Sequence, residues 1–100
     1  MDNQELATVF TKIADLMDIK GENIYKILAY RRVADNLRIS AEEAMVLHAE
    51  DKLSSIPGVG KAIAEKIAEL LDTGRLEFLD RLEEEVPPTL LELLEVPDLG

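Results

Sequence analysis

Apolar residues recur at intervals of three and four along most of this chain. Four segments show the pattern clearly, near residues 3–18, 22–37, 60–72 and 75–85. An α-helix gathers positions at this spacing onto one face, so each segment is predicted to be helical. Shorter helical pieces are predicted near residues 41–47, 51–55 and 89–94. The pattern therefore predicts an all-α fold, a small helical bundle without a β-strand in residues 1–85.

The inward faces of these helices predict the hydrophobic core, and polar residues predict where the helices begin and end. Asp2 or Asn3 is available to cap the first helix, and Gly21 is expected to end it. Ser40 and Glu43 have the spacing of a capping box, so a helix is expected to start at once after Ser40. The predicted core residues are Leu6, Phe10, Ile13, Ile27, Leu28, Val33, Leu37, Leu53, Ile63, Ile67, Leu70 and Leu79.

The segment Ile56-Pro57-Gly58-Val59-Gly60 is where backbone chemistry most clearly dictates residue type. Pro57 fixes its own φ, and Gly58 and Gly60 can adopt the positive φ of a tight turn. Because a helix follows at once, the amides of Val59, Gly60 and Lys61 are expected to be free at a positive helix terminus. Such a terminus is typical of a phosphate site.

This pattern predicts a helix-hairpin-helix motif at residues 51–72, which would hold DNA phosphates without reading bases. The alternative interpretation is an ordinary Pro-Gly turn between two helices, since such dipeptides mark turns in many proteins.

Charge is unevenly distributed in this acidic chain, whose net charge is -10. Residues 20–66 carry eight basic and seven acidic residues, whereas residues 67–100 carry two basic and ten acidic residues. A phosphate backbone is therefore tolerated best by the middle of the chain. The densest cationic cluster lies on the second predicted helix, where an exposed, solvated helix face is the alternative interpretation. It consists of Lys26, Arg31 and Arg32, interspersed with Tyr25 and Tyr30.

Composition narrows the class of protein further. One hundred residues make one small domain without room for a separate catalytic domain. Cysteine is absent, and no apolar run approaches the roughly 20 residues of a membrane span. A soluble, cytoplasmic protein with no membrane partner is expected. The single histidine, His48, is interpreted as a helix-end residue because no cysteine or second histidine could share a metal with it.

The end of the chain repeats the hairpin pattern. Val96-Pro97-Asp98-Leu99-Gly100 matches the earlier segment with Asp98 in place of a glycine. Residues 1–85 are therefore interpreted as a DNA-binding domain, and residues 86–100 as a linker followed by the start of a second hairpin. This is expected of the N-terminal piece of a longer protein.

The chain resembles the N-terminal region of family X DNA polymerases, the DNA polymerase beta family, and particularly its bacterial and archaeal members. The resemblance covers nearly the whole chain. It implies a helical domain that binds the 5′-phosphate side of a DNA gap in base excision repair, with the polymerase acids in a later domain. In some members this domain also removes the 5′-deoxyribose phosphate. The resemblance rests on Asn3-Gln-Glu-Leu6 with Phe10 and Ala14, on Ala29-Tyr30-Arg31 with Ala34, and on Leu53 to Leu70 with Thr73-Gly74.

The resemblance also implies roles for individual residues. Lys66 stands where the family has its Schiff-base lysine, Lys26 where a lysine touches the 5′-phosphate, and Tyr30 where a tyrosine supports the same pocket. The chain departs from the family twice. Ala62 stands where lyase-active relatives have another phosphate-binding lysine, and Tyr25 where they have a histidine. DNA binding is therefore favoured over lyase activity.

The predicted DNA contacts are the amides of Gly58, Gly60 and Lys61, assisted by Lys26, Arg31 and Lys66. The resemblance implies one Na⁺ or K⁺ ion at the hairpin, on the backbone oxygens of Ser54, Ile56 and Val59, and no required cofactor. The expected partners are gapped DNA with a 5′-phosphate and the rest of a polymerase chain, and the domain is expected to be a monomer. Two alternatives stay open: an active 5′-deoxyribose-phosphate lyase, and an acidic helical module for protein interaction.

Overall fold

The computed structural model describes residues 1–87, and every regular element in that range is a helix. The predicted all-α fold is confirmed. The helix predicted near residues 89–94 and the second hairpin lie outside the described residues. The elements are α1 (Asn3–Lys20), α2 (Ile24–Ile39), α3 (Ala44–Ala49), a 3₁₀ segment (Leu53–Ser55), α4 (Lys61–Thr73) and α5 (Glu77–Glu85).

Helix α1 has a complete capping box. The side chain of Asp2 accepts a hydrogen bond from the amide of Glu5 at 2.8 Å, and the side chain of Glu5 accepts one from the amide of Asp2 at 2.9 Å. Gly21 follows the helix with a φ of 77° and donates its amide to the last turn. This left-handed conformation favours glycine. The predicted signals at both ends are confirmed, although the helix continues to Lys20.

Helix α3 begins later than predicted, and the capping box expected at Ser40 is absent. Ser40 instead bonds through its hydroxyl to the backbone amide and carbonyl of Glu42, which makes a short turn. The helix starts at Ala44, whose amide donates to the side-chain oxygen of Asn3 at 2.7 Å. The side chain of Glu43 accepts from the Asn3 amide. A contact from α1 has therefore replaced the local cap.

Most of the predicted core is buried. Nine of the twelve predicted residues are buried, and Ile63 and Leu79 are partly buried against the same cluster. Leu28 was assigned wrongly, because 47% of it is exposed. It follows the buried Ile27 and, at about 100° from it around the helix axis, lies on the outer face of α2. The nine are Leu6, Phe10, Ile13, Ile27, Val33, Leu37, Leu53, Ile67 and Leu70.

Helices α1 and α2 pack against each other along their length, and α5 closes the same core through Leu82. The polar exception in the described core is Asn3, which is 4% exposed. Its amide nitrogen donates to the carbonyl of Glu42 at 3.0 Å, and its oxygen accepts from Ala44. A buried polar side chain thus joins the start of α1 to the start of α3. No helix of the described chain is both long enough and apolar enough to cross a membrane.

We expect Asn3→Ala to lower the free energy of unfolding by about 1–3 kcal/mol, because it leaves a buried amide and a carbonyl without partners. Urea denaturation followed by circular dichroism measures the change. The control is Gln4→Ala, at the adjacent exposed position of α1. Equal midpoints for the two variants would contradict a structural role for Asn3.

Candidate nucleic-acid interface

The hairpin is a type II turn. The amide of Val59 donates to the carbonyl of Ile56 at 3.0 Å across Pro57 and Gly58. Gly58 has a φ of 86°. Proline at the second position and glycine at the third are what this turn requires. The side chains of Ile56 and Val59 are buried, so both ends of the turn are fixed by the core.

Gly60 does not adopt the positive φ that was predicted for it. Its φ is -88° and its ψ is -172°, an extended conformation open to any residue. It occupies the N-cap position of α4, and a Cβ built on it would meet no atom within 4 Å. The space next to Gly60 is therefore open. A glycine here leaves the backbone accessible from solvent, and that is its structural contribution.

The start of α4 presents unused backbone donors. The first bond of the helix runs from the amide of Ala64 to the carbonyl of Gly60, at 2.8 Å. The amides of Gly58, Gly60 and Lys61 donate to no carbonyl in the turns and caps of residues 1–87, and no side chain caps this helix. The prediction for Val59 was wrong, because its amide closes the turn. Of the remaining donors, the amides of Gly60 and Lys61 lie at the positive terminus of α4, and that of Gly58 lies in the turn before it.

Helix α2 holds the hairpin in place. The side-chain nitrogen of Asn36 donates to the carbonyl of Pro57 at 2.7 Å. A Cβ built on Gly58 would lie 3.7 Å from Val33 and 3.9 Å from the Cδ of Arg32. Sequence reasoning missed Asn36. Its poor helix propensity in the middle of a helix was the available signal, since such residues often act through the side chain.

A cavity of about 550 Å³ lies beside the hairpin helix, between α2, α4 and α5. It is lined in part by Lys26, Tyr30, Ala62 and Phe78. The structure thus brings together residues that the sequence resemblance had assigned to one phosphate pocket. Lys66 lies one turn after Ala62, and its Nζ is 4.7 Å from the centroid of the Phe78 ring. Lys66 is half-buried and contacts Phe78, although it does not itself line the cavity.

Three aromatic rings form a column at this cavity. Tyr30 stacks on Phe10 of α1 and on Phe78 of α5, with centroid distances of 6.0 Å in both cases. The column ties α1, α2 and α5 together next to the predicted phosphate site. Burial in this column raises the pKa of the Tyr30 phenol above its ordinary value of 10.0.

Ion pairs separate the cations into two groups. Six of the eleven Lys and Arg side chains lie within 4 Å of a carboxylate of the described chain. One of the six is Arg31, which is 2.9 Å from Asp15 and 3.9 Å from Asp18 of α1. Arg31 therefore joins α2 to α1. No carboxylate of residues 1–87 pairs with the other five, which all fall between residues 26 and 66. These five, called here the unpaired cations, are Lys26, Arg32, Lys52, Lys61 and Lys66.

Two paired cations, Lys20 and Arg81, line the cavity, and Arg81 is paired with Glu77 of α5. Lys20 is bound by Glu85 of α5 and by Glu22, whose carboxylate is 3.3 Å away. The bond with Glu85 is the main cause that raises the pKa of Lys20 above 10.5. Carboxylates therefore already bind both of these cations. Among the residues that line the cavity, Lys26 is the cation without a carboxylate partner in the described chain.

His48 is not at this site. Its Nε2 lies 3.0 Å from a carboxylate oxygen of Asp72, so it joins the end of α3 to α4 as a helix-end residue. Across residues 1–87 no group of three or more His, Cys, Asp or Glu side chains could hold a metal ion.

A Pro-Gly turn that packs against α2 and is followed by a helix with open N-terminal amides is characteristic of a helix-hairpin-helix domain. A family model described as "Helix-hairpin-helix domain" matches residues 1–76, and the chain belongs to this family.

Two DNA polymerases contain similar sequences. The chain is 33% identical over its full 100 residues to the DNA polymerase/3′-5′ exonuclease PolX of Bacillus subtilis (strain 168), of which it spans 17%. It is 33% identical over 75 residues, 75% of the chain, to DNA polymerase lambda of Rattus norvegicus, of which the match covers 12%. The resemblance to family X polymerases is confirmed. The chain corresponds to only a small part of each relative.

We expect the free energy of unfolding to fall as the pH rises through about 10, partly because of Tyr30. The raised pKa means that the folded state retains the phenolic proton while the unfolded state releases it near pH 10.0. The stabilisation is complete below that pH and is lost as the pH approaches the folded-state value. Urea denaturation between pH 8 and 11 should show a shallower decline for Tyr30→Phe than for the unmodified chain. The same dependence of the free energy of unfolding on pH in both proteins would contradict this contribution of Tyr30.

Proposed function

We propose that residues 1–85 form the DNA-binding domain of a family X repair polymerase, with the helix-hairpin-helix at residues 51–72. The domain binds the sugar-phosphate backbone on the 5′-phosphate side of a gap, as a monomeric part of a longer polymerase chain. The observation that carries this proposal is the coincidence of the open α4 amides with the unpaired cations in one stretch of an otherwise acidic chain.

The hairpin is the first phosphate site of this proposal. The amides of Gly60 and Lys61 would donate to phosphate oxygens, and the positive terminus of α4 adds to the attraction. Gly60 permits the approach because no side chain covers these amides. None of these groups reads a base edge, so binding is independent of sequence.

The cavity beside α4 is the second site. Lys26 and Tyr30 line this cavity, and Lys66 lies over Phe78 of its wall, so both lysines would supply positive charge there. A terminal 5′-phosphate carries more charge than an internal one and would be favoured here. With so few cations, the slope of log K against log salt should be about -2 to -4.

A monovalent cation would bind at the turn, on the carbonyls of Ser54, Ile56 and Val59. The donor set fits such an ion. The Ile56 carbonyl accepts a hydrogen bond from the Val59 amide and has a second lone pair available. The carbonyls of Ser54 and Val59 accept no turn or cap hydrogen bond in the described chain. A bound cation would add positive charge next to the phosphate.

Replacing Gly60 with valine should abolish DNA binding without unfolding the domain. The extended φ and the open space around Gly60 accommodate a side chain in the protein itself, but the side chain would occupy the phosphate position. Fluorescence anisotropy on gapped, 5′-phosphorylated DNA measures the effect, and circular dichroism checks the fold.

The control for this substitution is Ala49→Val, which adds bulk at the exposed end of α3. It should bind DNA as the unmodified chain does. Full binding by a folded Gly60→Val protein would reject the hairpin as the site. Absence of binding by the unmodified chain would favour the acidic protein-interaction module.

Lyase activity is the second candidate function, and the position of Lys66 beside the cavity favours it. The neutral amine of Lys66 would attack C1′ of an opened abasic sugar, and loss of water would give an iminium. A proton would then leave C2′ to solvent and the C3′–O bond would break, which releases the DNA strand with a 5′-phosphate. The Phe78 ring attracts the charged ammonium, so Lys66 would have to leave this contact to react.

Borohydride trapping on an incised abasic substrate tests this candidate. We expect slow trapping by the unmodified chain, none by Lys66→Ala, and faster trapping by Ala62→Lys. The last variant adds a cation at the cavity wall and should strengthen 5′-phosphate capture.

Lys12→Ala is the control, since Lys12 is also a half-buried lysine but is paired with Glu83 and does not line the cavity. It should trap as the unmodified chain does. Trapping that persists in Lys66→Ala would show that another amine carries the chemistry.

A further inference from the structure

Two adjacent arginines of α2 have opposite surroundings. Arg31 is held by Asp15 and Asp18 of α1, at 2.9 and 3.9 Å. Arg32 is exposed and is absent from the salt bridges and side-chain hydrogen bonds of residues 1–87. Adjacent helical residues point about 100° apart, so the two side chains leave α2 on different sides. One faces the protein, and the other is available to a ligand.

Arg32 lies against the hairpin. Its Cδ is 3.9 Å from the position of a Cβ on Gly58. One helical turn later, Asn36 fixes the carbonyl of Pro57 at 2.7 Å. The aliphatic part of Arg32 therefore lies along a turn whose position is set by the same helix. Its guanidinium is joined to Cδ through Nε and so cannot be far from the turn that carries the proposed phosphate site.

The lack of a partner for Arg32 is informative because acids are abundant. The chain has 21 acidic and 11 basic residues. The acid one turn away on α2, Asp35, lies 3.5 Å from Arg38 instead. A guanidinium has five donors in a planar fork that matches two phosphate oxygens. An exposed arginine of this kind beside open backbone amides is suited to a phosphodiester.

We propose that Arg32 binds a DNA phosphate next to the one held by the hairpin amides, and that Arg31 makes no DNA contact. This inference rests on the proposed DNA-binding function. It assigns the phosphate contact to the arginine next to the one predicted from the sequence, and it extends the binding surface from the hairpin onto α2.

The test compares Arg32→Gln with Arg31→Gln, which remove the same charge from neighbouring positions. Binding to gapped, 5′-phosphorylated DNA is measured by anisotropy across a salt series, and thermal unfolding is followed for each protein. Arg32→Gln should make the salt slope shallower by about 0.9 and weaken binding about eightfold at 0.1 M salt, as the loss of one phosphate contact predicts. Its unfolding midpoint should be unchanged. Arg31→Gln should keep the slope and unfold at a lower temperature.

A third variant, Arg32→Lys, retains the charge, so its slope of log K against log salt should be close to that of the unmodified chain. An unchanged slope in Arg32→Gln, or equal losses in the two glutamine variants, would overturn the assignment while DNA binding itself stands. If the unmodified chain does not bind gapped DNA, the proposed function fails, and the role of Arg32 fails with it.

Discussion

The hydrogen bond from Asn36 to the carbonyl of Pro57 is the contact on which the arrangement of the interface depends. It joins α2 to the hairpin at 2.7 Å, and Gly58 packs on the same stretch of α2. The turn cannot rotate without losing this bond, so the direction of the α4 amides is fixed relative to α2. A phosphate bound at the hairpin therefore has a defined distance to cations on α2. Burial of Ile56 and Val59 holds the ends of the turn in the core, and this bond fixes the Pro57 carbonyl against α2.

Electrostatics make this small interface selective within an acidic domain. The basic residues outside residues 20–66 form ion pairs with nearby carboxylates. Examples are Lys12, 2.6 Å from Glu83, and Arg75, 2.8 Å from Asp80. Exposed pairs such as Arg75 with Asp80 contribute little to stability. Their larger effect is on the field, because pairing removes positive charge that would attract phosphate elsewhere. The ten acids after residue 66 act in the same direction by repulsion. In the proposed function, attraction to phosphate would remain at the hairpin amides and at the unpaired cations.

Local sequence signals were sufficient wherever local chemistry determines the structure. Asp2, Gly21 and the Pro57–Gly58 turn could be interpreted correctly, because a cap or a positive φ depends on near neighbours. Prediction failed where a distant segment competes. Ser40 could not be known to lose its capping role, since the competing partner is Asn3, about forty positions earlier in the chain. The same holds for the candidate site. The Pro57–Gly58 turn could be predicted from local sequence, whereas its contact with Asn36 depends on how α2 packs against the hairpin.

The proposed DNA binding and the proposed lyase chemistry would make different demands on this domain. Binding needs only charge and open amides, which the hairpin supplies through main-chain atoms that a side-chain substitution elsewhere leaves in place. The chemistry needs one lysine in its neutral form close to a captured phosphate. Here Ala62 removes a cation from the wall, and Glu22 and Glu85 occupy Lys20. Both features would weaken the proposed phosphate capture at the cavity and would leave the hairpin intact. The physical arrangement therefore favours a domain that retains DNA binding whether or not Lys66 reacts.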